Sequence, residues 1–133
     1  MKHSVTEISL RNGAKGLLVD VPGATVMGME LNFRAGEYLV PREKWEVPHL
    51  MEHVVLGANE KYKRSRLFQA EFEKNGAYTN AHTSVISVGY EAECADFEWD
   101  RILKMLFLAV SKPLFLREGY RAAYGDSGDE LLA

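Results

Sequence analysis

The hydrophobic and polar pattern of the first third of the chain reads as short strands bounded by turns, with clear two-residue alternation from Ala24 to Phe33. Thr6 to Leu10 is one such run, and Asn12-Gly13 closes it with a turn pair that tolerates positive φ. Gly16 to Val21 is a second, ended by Pro22-Gly23. Ala24 to Phe33 is the strongest of the three, carried by Val26, Met27, Met29, Leu31 and Phe33 and ended at Ala35-Gly36-Glu37. Past a loop through Pro41 to Lys44 the period becomes helical. Val47, Leu50, Met51, Val54, Val55 and Leu56 define an apolar stripe, Pro48 suits a first helical turn, and Gly57 suits a stop.

The pattern then predicts a second helix from about Arg66 to Lys74, with Ser65 as its N-cap and Asn75-Gly76 as its end. Val85 to Glu91 reads as a strand paired with Ala77 to Thr83. Asp96 opens a third helix with Trp99, Ile102, Leu103, Leu106 and Phe107 on one stripe, and Pro113 closes it. Three strands, two helices, two strands and a helix imply an α+β fold: an antiparallel sheet with helices packed on one face. Phe72, Tyr78 and Tyr90 are expected in its core. Residues 1–133 are read as one partial domain.

Composition narrows the function classes. The 133 residues carry 16 Lys+Arg against 19 Asp+Glu, a net charge of −3. A protein that grips a phosphate backbone is normally far more basic, so no nucleic-acid partner is expected. The basic run Lys61 to Arg66 is read as a solvated helix entrance. Cys94 is the single cysteine, which excludes an internal disulfide and any paired-cysteine metal or redox motif. The most apolar segment, Ile102 to Val110, contains Lys104 and falls short of a bilayer span. With no leader-like N-terminus, the expectation is a cytoplasmic protein without a membrane partner.

One five-residue pattern carries chemistry. In His49-Leu50-Met51-Glu52-His53, positions i, i+3 and i+4 share a helix face, so two imidazoles and one carboxylate enter the same space. Imidazoles four residues apart suit Zn²⁺, and a carboxylate beside them suits a general base. The pattern H-x-x-E-H is that of the inverzincins. A third ligand is then required, and spacing alone leaves His82, Cys94 and any downstream carboxylate open.

The surrounding segments resemble the family of pitrilysin, insulin-degrading enzyme and mitochondrial processing peptidase. The resemblance is carried by Arg11-Asn12-Gly13, Leu17-Leu18-Val19, Phe33-Arg34-Ala35-Gly36 and Pro48-His49-Leu50-Met51-Glu52-His53. It continues through Gly57, Lys61-Tyr62, Asn75 to Thr83 and Gly89-Tyr90. It implies a metallopeptidase-like half-domain, the N-terminal portion of one family domain, that binds Zn²⁺ and cuts peptide substrates. His49, His53 and Glu130 would be the metal ligands and Glu52 the catalytic base. Glu130 follows Pro113-Leu114-Phe115, as the family's third ligand follows a similar segment. Where the family has an acidic residue seven positions before that ligand, this chain has Ala123. Asn80 and Ala81 match the family's substrate-binding edge strand.

The resemblance also implies a partner. The family supplies an Arg and a Tyr for the oxyanion from a second, related half, so a homo-oligomer or a complementary family domain is expected. The alternative reading is a non-catalytic scaffold or interaction member of the same family. S-ribosylhomocysteine lyase has a similar helix, but it needs cysteines as both ligand and acid/base, and Cys94 alone cannot serve both.

Overall fold

The computed structural model describes residues 2–117 and 121. Five strands and three α-helices run in the order β1 (Ser4–Ser9), β2 (Lys15–Asp20), β3 (Val26–Phe33), α1 (Val47–Val55), α2 (Ser65–Glu73), β4 (Tyr78–Thr83), β5 (Val88–Ala95) and α3 (Trp99–Ser111). The architecture is α+β with antiparallel pairing throughout, as the patterning predicts. The strands fall into two sheets. β1 and β2 form a hairpin with Ser4 opposite Asp20, while β3, β5 and β4 form a three-stranded sheet in that order. A cleft of about 750 Å³ lies between hairpin and sheet, with Leu17 and Val19 of the hairpin and Met27 and Met29 of β3 among its lining.

β5 is the centre of the molecule. Its register with both neighbours sets Leu31, Tyr90 and Ala81 in one cross-sheet row and Glu30, Glu91 and Asn80 in the next. Successive side chains of a strand face opposite sides, so the first row belongs to the core and the second to the outer face. Val88, Tyr90, Ala92 and Cys94 are buried against Phe68 and Phe72 of α2 and Ile102, Met105, Leu106 and Ala109 of α3. Arg101 ties the layers together: its guanidinium donates to the backbone oxygens of Glu71 and Lys74 and pairs with Glu98.

Several expectations shift. The strand placed at 85–91 lies at Val88–Ala95, because Ser84 and Ser87 close the β4–β5 turn through hydroxyl and backbone hydrogen bonds. Glu91 then lies within the strand, on its outer face together with Glu93, instead of ending it. Ser65 is the first residue of α2, and Arg64 is its N-cap with no side-chain cap bond. A 3₁₀ turn at Asp96–Glu98 precedes α3. The stripe of α3 is rotated: Ile102, Met105, Leu106 and Ala109 are buried, while Trp99 and Phe107 are exposed. Tyr78 is exposed, because its register places it opposite Glu93 on the outer face. Phe72 and Tyr90 are core residues as expected. The entrance to α2, Lys61 to Arg66, is solvated apart from half-buried Tyr62.

Two local features follow from space and charge. A Cβ on Gly36 would come within 2.4 Å of the Ile86 backbone, so only glycine lets residues 36–38 lie against the 84–87 turn. Tyr38 and Val85 share a 2.8 Å backbone hydrogen bond there. Burial pushes the Cys94 thiol up, Glu98 adds to the effect, and Arg101 opposes it. That environment holds a protonated, inert thiol rather than a nucleophile.

Candidate metal centre

α1 forms where the apolar stripe predicts it, with Pro48 in its first turn and Leu56 and Gly57 at its end. Leu50 N–H bonds to the Glu46 carbonyl and starts the helical ladder. Pro48, Val54 and Val55 are buried, which turns His49 and His53 outward and leaves Glu52 half-buried between helix and sheet.

The three side chains predicted to act together are together. His49 and His53 approach through their Nε2 atoms at 3.1 Å, and ligand atoms of His49, Glu52 and His53 all lie within 4.8 Å of one another. Two imidazole nitrogens sharing a tetrahedral Zn²⁺ at about 2.0–2.1 Å sit roughly 3.3 Å apart. The observed spacing fits that ion with little adjustment, and imidazole nitrogen is a donor zinc accepts well.

The sheet holds this helix from beneath at two points. Thr83, the last residue of β4, donates its hydroxyl to Glu52 Oε2 at 2.5 Å. Tyr90 of β5 donates its phenol to the Met51 carbonyl at 3.2 Å. Burial, aided by the nearby Glu52 carboxylate, pushes the Tyr90 phenol from its ordinary value of 10.0 up to about 12. The fold therefore favours the protonated phenol. Its stabilisation is complete below pH 10 and is lost as pH rises through about 12. Between those limits the melting temperature of the wild type is expected to fall more steeply than that of Tyr90→Phe. Parallel thermal melts of the two proteins from pH 9 to 12 check it, and superimposable slopes would refute it.

The other predicted residues separate. Asn80 and Ala81 lie in β4, an edge of the three-stranded sheet among the described residues. Asn80 is turned to the outer face, where its amide donates to Glu91 Oε1 at 3.3 Å. His82 shares that outer face, 3.6 Å from Glu30, with its ring over Gly89, where a Cβ would come within 2.3 Å of it. His82 and Cys94, both open as third ligands from spacing, stand apart from the His49–Glu52–His53 group, Cys94 being buried in the core. Glu130 and Ala123 lie outside the described residues. Thr83 and Tyr90 had not been singled out for the site. The two-residue period of β4 puts Thr83 on the face of Ala81, but it does not encode the contact with Glu52.

The comparisons with known proteins bear on the family and the fold. The family described as Insulinase (Peptidase family M16) matches residues 20–125. Among curated relatives, Insulin-degrading enzyme-like 2 of Arabidopsis thaliana is 27% identical over 89 residues, covering 67% of this chain and 9% of that protein. Insulin-degrading enzyme-like 1, peroxisomal, of the same plant is 26% identical over 111 residues, covering 80% of this chain and 11% of the relative. This chain thus spans about a tenth of the length of those relatives. Among solved structures, a protease from Helicobacter pylori superposes with a TM-score of 0.81 at 16% identity, over 92% of this chain and 29% of that one. Pitrilysin superposes with a TM-score of 0.80 at 22% identity, over 92% of this chain and 13% of that one. At those identities the superpositions speak to the fold, and the fold is the same. No helix among the described residues is long and apolar enough to cross a membrane. The family match over residues 20–125 contains the whole His49–Glu52–His53 helix and both strands that hold it, and the chain belongs to the insulinase peptidase family.

Proposed function

We propose that this chain is the metal-binding portion of a zinc-dependent endopeptidase acting on peptides. The observation that carries the reading is the convergence of His49, Glu52 and His53 on one exposed helix face at zinc-compatible spacing. His49 and His53 would hold the ion, with Glu130 as third protein ligand. When bound, Zn²⁺ supplies a Lewis acid and lowers the pKa of its water towards about 7. Glu52 lies on the same face, takes the proton of the attacking water and returns it to the leaving amine. The β4 edge at Asn80 and Ala81 would receive the substrate as an added strand, held by main-chain hydrogen bonds that accept many sequences.

Residues 1–133 would act as one partial domain, with a second copy or a complementary family domain supplying the donors that the oxyanion needs. An apolar groove of about 290 Å³ runs beside α1, lined by Val47, Pro48 and Met51 together with Phe33, Val88 and Tyr90. It gives such a partner an apolar surface to cover. The cytoplasm is the proposed compartment. A non-catalytic scaffold is the second reading, and the spacing of the triad argues against it, since a scaffold has no physical need for that geometry.

Elemental analysis after zinc loading and desalting tests the reading. One zinc per chain is expected in the wild type, none in His49→Ala, and weakened retention in Glu130→Gln. A wild type that retains no zinc would leave the scaffold.

A further inference from the structure

The hydroxyl of Thr83 has one carboxylate oxygen for a partner, and that carboxylate belongs to the proposed base. We propose that Thr83 is a positioning residue, which fixes the rotamer of Glu52 and couples the strand that receives the substrate to the group that moves the proton. The inference rests on the peptidase reading and goes beyond it.

Three observations carry it. Glu52 sits on the inner side of the histidine face, half-buried against the sheet, where a flexible side chain with one unrestrained torsion too many would spend little time aimed at a reacting water. The Thr83 hydroxyl removes that freedom by engaging Oε2, and it leaves Oε1 to accept a proton. The β-branched side chain of threonine is stiff at χ1, so the hydroxyl is itself held in direction in a way that serine would match only in part.

The position in the chain matters as much as the contact. Thr83 follows Ala81 by two residues on the same face of β4, and both pair with β5 at Val88 and Tyr90. Tyr90 in turn donates to the Met51 carbonyl, one residue from Glu52. The edge offered to a peptide and the base that acts on it are therefore joined through one side-chain hydrogen bond and one tyrosine. A peptide added to β4 would lie in register with the Glu52 carboxylate without any further adjustment of α1. Misplacement of a reacting group by about 1 Å costs rate on the order of 10²-fold, which is the scale of advantage such a tether protects.

The test compares the wild type, Thr83→Val and Thr83→Ser. Valine keeps the shape and removes the donor, whereas serine keeps the donor and loses the branch. The first readout needs neither metal nor turnover: the side-chain carboxyl ¹³C resonance of Glu52 at pH 7, assigned by its disappearance in Glu52→Gln. It is expected to move in Thr83→Val and to return towards the wild-type position in Thr83→Ser. The second is hydrolysis of an internally quenched peptide by the zinc-loaded proteins. In Thr83→Val kcat is expected to fall about tenfold with KM within twofold and zinc content unchanged, and Thr83→Ser is expected to recover most of it. An unmoved Glu52 resonance in Thr83→Val, or an unchanged kcat, would overturn the proposal. A wild type that binds no zinc would overturn the peptidase reading instead, and the carboxyl resonance would still decide the Thr83 contact.

Discussion

Glu52→Gln is expected to lower peptide hydrolysis by about 10³-fold while zinc content per chain stays at the wild-type level. The substitution keeps the length and nearly the shape of the side chain, and the carboxamide oxygen can still accept the Thr83 hydroxyl that engages Oε2 in the wild type. What disappears is the basic oxygen able to take a proton from water and return it to the amine. His49 and His53, whose Nε2 atoms meet at 3.1 Å, are left untouched, so the metal-binding pair survives. Parallel measurement of zinc content and of kcat for the two proteins separates the roles. Loss of zinc along with activity would make Glu52 a ligand, and unchanged activity would remove it from the mechanism. Glu52→Asp offers a graded control, because it keeps the charge but withdraws it from both Thr83 and the histidine face.

The helix and its chemistry were legible because they are local. Val47 to Leu56 states its period within three turns, and His49, Glu52 and His53 meet through helical geometry alone. The strands of the first third were legible for the same reason. What the sequence reading misplaced depends on partners distant in the chain. Glu91 looks like the end of a strand until Glu30 and Asn80 are found beside it on the outer face, and Gly28 and Tyr78 beside Glu93. Tyr78 looks like core until its register opposite Glu93 turns it outward. The contact of Thr83 with Glu52 joins residues thirty-one apart, and no periodicity encodes it. The break between the β1–β2 hairpin and the larger sheet was also invisible, since β3 takes its pairing partner from β5, some sixty residues later in the chain.

The sharpest test of the packing is a pair of neighbours on α3. The sequence stripe places Leu106 and Phe107 together towards the core, whereas the structure buries Leu106 completely and leaves Phe107 51% exposed. Leu106→Ala is therefore expected to cost about 3–5 kcal/mol, because its methyl groups fill space among the β5 and α2 side chains and a cavity would remain. Phe107→Ala is expected to cost less than about 1 kcal/mol, despite removing the larger side chain. Folded domains have only about 5–15 kcal/mol to lose, so the first variant approaches unfolding and the second melts with the wild type. Urea denaturation read by tryptophan fluorescence gives both values from the shift in midpoint at constant slope. The reverse order would mean that α3 presents its sequence-predicted stripe, rotated by one residue, to β5. Since β5 carries Tyr90, and Tyr90 donates to the Met51 carbonyl, that rotation would also reset the helix that bears His49, Glu52 and His53.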